Sequence, residues 1–149
     1  RLGQDVEEGK SFVYAWVLMD NHVHILCKSG TYGISTVMRK ILTWYAQYFN
    51  RRHCRTGHLF ENRYKSILCE EDSYLLALTR YIHLNPARAK IVETIEQLDL
   101  YPWSGHRALM GKTKYTWMDV DRVLSEFGSK GDCFPRFNHS GASLPRSSQ

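Results

Sequence analysis

A chain of 149 residues that is 43% hydrophobic and 13% aromatic suits one compact domain with its own core. Twenty Lys and Arg against fifteen Asp and Glu give a formal charge of +5, which favours a polyanionic partner without naming one. No apolar run of about eighteen residues argues for a membrane span, the charged start Arg1–Lys10 does not read as a signal peptide, and Cys27, Cys54, Cys69 and Cys133 stand singly, which argues against a zinc ribbon or a disulfide scaffold and suits a reducing cytoplasm.

Residues 12–19 are apolar at both alternating sets of positions, which predicts a central strand covered on both sides. Asp20-Asn21 reads as a two-residue turn tolerant of positive φ, His22 as the start of the next strand, and Lys28-Ser29-Gly30 as its end, so the pair forms a hairpin. On a strand, side chains two apart share a face, and His22 and His24 therefore stand side by side, with Val23, Ile25 and Cys27 opposite. Two readings stand: a pair of metal ligands, or an accident in a chain with seven His.

From Gly33 to Arg52 the residues Ile34, Val37, Met38, Ile41, Tyr45, Tyr48 and Phe49 recur at helical spacing, with Arg39, Lys40 and Gln47 left for the other face. Residues 51–65 then interleave Arg51, Arg52, Arg55, Arg63 and Lys65 with His53, His58, Phe60 and Tyr64. Charge runs are usually solvated faces, but cations mixed with rings suit nucleic acid, where phosphates meet the charges and unpaired bases stack on the rings. Ser66 to Cys69 reads as another strand. A helix follows, capped by Asp72 or Ser73 and running to about Leu84 on a stripe of Leu75, Leu78 and Ile82. Pro86 disfavours helical geometry at Asn85, so that helix is expected to break there and restart through Ala87-Arg88-Ala89. Beyond Val92 the pattern thins to an aromatic plug at Tyr101–Ser104 introducing a short helix, a helix from Asp119 to Phe127 stopped by Gly128, and a mobile tail over 129–149. Residues 1–128 are thus expected to form a single domain, with no internal repeat.

Tyr81 and Asn85, four apart on the helix, share a ridge with small Ala77. If that ridge lies over the imidazole face of the hairpin, His22, His24 and the Asn85 carbonyl oxygen make a mixed nitrogen and oxygen metal site with open positions, and Tyr81 sits near a bound phosphate. A phenol is a weak nucleophile at neutral pH unless its surroundings favour the phenolate; its attack on a phosphodiester frees a 3′-hydroxyl and leaves a 5′-phosphotyrosine. The alternatives are that Tyr81, one of nine tyrosines, is a core aromatic, and that Asn85 caps the helix after Pro86. His83 lies off the ridge and is expected on the surface.

The blocks Ala15-Trp16-Val17-Leu18-Met19 with Asn21-His22-Val23-His24, Thr56-Gly57-His58-Leu59-Phe60 with Arg63-Tyr64-Lys65-Ser66, and Tyr81-Ile82-His83-Leu84-Asn85-Pro86 with Ala89 resemble the REP-associated tyrosine transposases, within the HUH single-strand endonucleases and beside the single-tyrosine insertion-sequence transposases. The likeness runs from about Phe12 to Val92. It implies that His22 and His24 are paired metal ligands, Asn85 the third ligand and Tyr81 the nucleophile. It also implies an α/β (α+β) ferredoxin-like fold with an antiparallel sheet and packed helices, magnesium or manganese as the ion, and single-stranded or hairpin DNA as substrate. The family pattern places a further strand ahead of Phe12 for which this chain shows no counterpart, so the sheet is expected to lack its first strand. Asn85 stands where Gln occurs elsewhere in the superfamily.

The expected function is therefore a metal-dependent single-stranded DNA endonuclease and strand transferase acting at hairpin-associated sites, in a bacterial-type cytoplasm beside the nucleoid. Arg51, Arg52, Arg55, Arg63 and Lys65 are its candidate phosphate contacts and His58, Phe60 and Tyr64 its candidate stacking groups. The short span from Lys65 to Tyr81 favours a monomer over a homodimer. The rival from another class is a DNA-binding regulator of the same fold that does not cut; a zinc protein built on His53, Cys54, His58 and Cys69 is a second, with irregular spacing.

Overall fold

The computed structural model describes residues 11–69 and 73–127. In chain order these form strands β1 (Ser11–Leu18) and β2 (Val23–Ser29) and helices α1 (Ile34–Arg52), α2 (Ser73–Arg88), α3 (Ile95–Leu100), α4 (His106–Leu109) and α5 (Val120–Glu126). The mixed α/β architecture, with an antiparallel two-stranded sheet and helices packed on it, agrees with part of a ferredoxin-like arrangement. Among the described residues the sheet holds two strands, β1 and β2. No described helix is long and apolar enough to cross a membrane.

β1 is covered on both faces, as its two-sided apolar pattern predicts. Its ladder with β2 slips between Val13 and Ala15, so Tyr14 is the extra residue of a bulge. Because of that slip Val13 and Trp16, three apart, join one core with Ala108, Leu109, Met118 and Val123, while Ala15 and Val17 join the other with Ile82. α2 packs on both strands and α5 on β1. The hairpin closes through Met19 N–H to His22 O at 2.8 Å, with neither Asp20 nor Asn21 at positive φ. The expected left-handed turn is thus replaced by one that both residues enter without backbone strain.

The edge of β1 away from β2 is also occupied. Leu18 N–H donates to Trp103 O at 2.8 Å, Gly105 N–H to Trp16 O at 2.9 Å and Asp119 N–H to Val13 O at 2.8 Å. Single bridges at Val17 with Ser104 and Val13 with Met118 complete the contact. An open edge would leave unpaired donors and acceptors in a template for aggregation, and these C-terminal segments satisfy them. Tyr101 adds a hydrogen bond from its hydroxyl to Leu18 O at 2.8 Å, so the expected plug is Tyr101 and backbone; the Trp103 ring is exposed. Gly105 permits the approach, because a Cβ there would stand 3.0 Å from Met118 Sδ and Cε and from Trp16 Cδ1.

Three expectations fail in this region. Helix α2 does not break at Pro86 but runs through it to Arg88. A proline in the last turns forfeits a single backbone bond, and its ring is fully buried in the core, which offsets that loss. The helix ends instead where Lys90 takes φ 57, with Ile91 N–H on Pro86 O at 2.8 Å and Lys90 N–H on Ala87 O at 3.1 Å, the paired bonds of a left-handed C-terminal cap. His83 is not on the surface: it is fully buried, as is Thr79, so the core stripe of α2 is Leu75, Thr79, Ile82, His83 and Pro86, rotated from the expected one. Ser66 to Cys69 is not a strand. Ile67 and Leu68 are 90% and 85% exposed and, among the described residues, no ladder reaches them; a strand needs a partner for its backbone groups.

α3, which the sequence pattern does not announce, starts with Thr94 Oγ1 accepting from Gln97 N–H at 3.3 Å while Gln97 Oε1 accepts from Glu93 N–H at 2.7 Å, a close relative of the capping box. α5 starts as expected at Asp119, whose side chain accepts from Arg122 N–H at 3.0 Å. Residues 1–10, Asp72 as a cap, Gly128 as a stop and the tail over 129–149 lie outside the described residues.

A candidate active site where the hairpin meets helix α2

β2 begins one residue later than expected, at Val23, yet His22 and His24 still stand on one side. Their Nε2 atoms are 3.1 Å apart and their rings cross at 88° with centroids 4.8 Å apart. His22 Nδ1 lies 2.7 Å from the Asn21 Oδ1 acceptor, a contact that favours the tautomer with Nδ1 protonated and the Nε2 lone pair towards His24. Burial first, and the neighbouring His22 second, push the His24 pKa below the ordinary histidine value, so His24 is held in the neutral form that can lend a lone pair.

Tyr81 faces this pair from α2. Its ring centroid lies 6.0 Å from that of His24 with the planes at 81°, and 43% of the residue is exposed. The Tyr81 reading as a core aromatic is thereby set aside: the ring lies at the surface, against the imidazoles. The Arg88 guanidinium sits 4.7 Å from the Tyr81 ring centroid, a cation held against the π-face of the phenol. Asn85 is one turn beyond Tyr81, buried, and among the described residues its side-chain nitrogen has no hydrogen-bond partner. Because α2 is continuous through Pro86, Asn85 caps no following helix, and its amide is not committed to that task.

Two imidazole nitrogens 3.1 Å apart have the spacing of neighbouring ligands on one octahedral ion, for which bonds of about 2.1 Å set adjacent donors about 3.0 Å apart. Among the described residues no group of three or more His, Cys, Asp or Glu gathers to hold a metal. The imidazole pair could hold an ion only with oxygen donors of another kind, such as a side-chain amide, a phosphate or water. The same finding removes the alternative zinc set, since His53, Cys54, His58 and Cys69 form no such group.

The basic segment folds back along α1. Arg51 and Arg52 occupy the last helical turn, where cations complement the helix dipole, and His53 N–H closes the helix on Phe49 O at 2.9 Å. Cys54 at φ 51 and Gly57 at φ 91 then turn the chain back, and Asn50 Nδ2 donates to Gly57 O at 2.8 Å. His58 and Phe60 line a shallow cleft with Leu42, Thr43 and Ala46, and the Phe60 ring lies 6.1 Å from that of Tyr45. Arg55 lies over the Phe49 ring at 5.8 Å. Tyr64 is half-buried, its hydroxyl donating to Ser35 Oγ at 2.8 Å, which ties the segment to the start of α1; Arg63 and Lys65 on either side are exposed. The sequence reading missed Trp44, which stacks on Tyr48 at 5.4 Å and 12°. The signal was available: Lys40, Trp44, Tyr48 and Arg52 recur every four residues.

The family described as "Transposase IS200 like" matches residues 3–85, a stretch that takes in the hairpin, α1, the basic segment and α2 as far as Asn85. No curated protein and no solved structure matches the chain.

Proposed function

Since the chain belongs to the IS200-like transposase family, whose enzymes cleave DNA, we propose that it is a single-tyrosine transposase of the REP-associated type, cutting and rejoining single-stranded DNA beside hairpins with Tyr81 as nucleophile. The observation that carries this reading is the convergence, in one chain, of the Tyr81 phenol and the His22–His24 pair.

In this reading His22, His24 and Asn85 hold a divalent ion, magnesium or manganese. Bound there, such an ion supplies Lewis acidity and a template for the phosphate oxygens. Asn21 holds His22 in the ligating tautomer, and burial keeps His24 neutral. Tyr81 supplies the reacting oxygen: its Oη forms a bond to phosphorus as the bond from phosphorus to the 3′-oxygen breaks. The phenol proton passes to water, and the departing 3′-oxygen takes one up as a 3′-hydroxyl. One phosphoester bond is exchanged for another, so the attack of a different 3′-hydroxyl on the phosphotyrosine restores the phenol and joins a new strand. Arg51, Arg52, Arg55, Arg63 and Lys65 contact phosphates in this reading, with His58 and Phe60 beside bases.

The test is incubation of the protein and magnesium with 3′-labelled hairpin oligonucleotides, followed by a denaturing gel. A labelled protein adduct is expected with the native chain and not with Tyr81→Phe. An adduct that survives that substitution, or none with any hairpin, overturns the assignment.

A further inference from the structure

The excess positive charge of this protein is confined to one stretch. Residues 30–69 carry seven Lys and Arg against the single acid Glu61, while the rest of the chain holds thirteen cations and fourteen anions. α1 is the spine of that stretch, and among the described residues it shares no extended packing with another helix or strand; Val37 is its buried residue. A 19-residue amphipathic helix usually meets a core along its apolar face. Here Trp44, Tyr45 and Tyr48 remain 42%, 42% and 53% exposed.

The exposed side of α1 has an ordered pattern. One row of residues four apart reads Lys40, Trp44, Tyr48, Arg52, and the row beside it reads Arg39, Thr43, Gln47, Arg51; all eight are exposed. Within the first row the two rings lie nearly parallel, 5.4 Å between centroids and 12° between planes, with a cation one turn before and one turn after. The row spans about 18 Å along the helix. Tyr32, 51% exposed and 5.8 Å from Lys40 Nζ, adds a further ring at its start.

We propose that Trp44 and Tyr48 form a base-stacking platform for single-stranded DNA, with Lys40 and Arg52 at its two ends, and Arg39 and Arg51 alongside, taking the flanking phosphates. Parallel rings extend naturally by a further ring, whereas an apolar protein partner would meet a surface fringed by cations with hardly an acid to pair them. Single strands fit and duplex does not, because the bases of a duplex are already stacked and paired. The site uses none of His22, His24, Tyr81 or Asn85. It rests on the DNA-acting role proposed above and can fail independently of the cleavage chemistry.

The experiment is fluorescence anisotropy with a labelled twelve-nucleotide oligothymidylate, without magnesium, over a salt series. Replacing both rings (Trp44→Ala with Tyr48→Ala) should weaken binding about tenfold with the salt dependence unchanged, while Trp44→Phe with Tyr48→Phe should bind nearly as the native chain does. Lys40→Ala with Arg52→Ala should instead flatten the dependence of affinity on salt. Oligothymidylate should also quench tryptophan fluorescence more in the native chain than in Trp44→Phe, a comparison that does not depend on the alanine variant folding. Native affinity in the double alanine variant, an equal loss towards a duplex of the same length, or equal quenching with and without Trp44 overturns the platform. A chain that forms no hairpin adduct yet loses oligothymidylate when the rings are replaced keeps the platform and loses the transposase chemistry; the opposite pattern does the reverse.

Discussion

Tyr81 meets His24 edge to face within a single chain, 6.0 Å between ring centroids, although the two belong to different elements far apart in sequence. A site assembled from one subunit cannot be repaired by mixing. Protein carrying His22→Ala with His24→Ala, combined with protein carrying Tyr81→Phe, should therefore form no more adduct than either alone. Restoration to a sizeable fraction of native activity in the mixture would show that the tyrosine serves a partner's imidazoles, and a solution mass giving only dimer would support that outcome.

Arg88 lies against the Tyr81 ring at 4.7 Å, and a partly exposed cation over an aromatic face is worth about 0.5–1 kcal/mol. Arg88→Ala should slow adduct formation by about two- to fivefold, since the ring loses the cation held against its face. Arg88→Lys should recover part of the rate. Single-turnover cleavage rates decide this; an unchanged rate in the alanine variant removes Arg88 from any part in placing the phenol.

His83 makes the protein acid-sensitive. Burial, and then the nearby His106, push its pKa down to about 3 in the folded chain, while among the described residues neither ring nitrogen has a hydrogen-bond partner. The unfolded chain takes up a proton near pH 6.5 and the folded chain does not, so stability falls as pH drops from about 6 towards 3, by about 1.4 kcal/mol per unit once well below 6. Asp99 contributes with a different window. Although burial raises its pKa, hydrogen bonds from Lys112 at 2.5 Å and His106 at 2.8 Å outweigh it, so its stabilisation is present above its ordinary pKa and lost only in stronger acid. Urea melts of the native chain and of His83→Leu between pH 4 and 7 should separate the two: the variant loses most of the slope. Parallel slopes would contradict a buried neutral His83.

Gly105 is the point at which the C-terminal half reaches β1. Its Cβ would meet Trp16 and the Met118 side chain at 3.0 Å, and neither neighbour is free to retreat without disturbing the core it lines. Gly105→Ala is expected to lower stability by about 1–3 kcal/mol, the usual cost of overpacking. Gly111→Ala, with open space around it but φ 67, should cost less, since only the backbone is strained. Thermal melts compare the two directly; a Gly105 variant as stable as the native chain would mean that the 103–105 segment is not pressed against the strand.

Local pattern was enough for much of this protein. The apolar run 12–19 and the break after it at Asp20-Asn21 mark the hairpin, a spacing of two places His22 beside His24, helical periodicity marks α1 and α2, and a spacing of four puts Asn85 one turn after Tyr81. These relations are set by backbone geometry within a few residues. Tertiary structure decided what local geometry leaves open. Whether Pro86 ends α2 depends on its ring finding a place in the core, and whether Ser66 to Cys69 is a strand depends on a partner that its own residues do not supply. The phase of α2 is chosen by the face that meets β1, which buries His83 and brings Tyr81 to the imidazoles. The sealing of β1 by Trp103–Gly105 joins residues far apart in the chain. Such contacts form where the summed burial of distant segments outweighs each segment's own preference, and no single stretch of the sequence carries that sum.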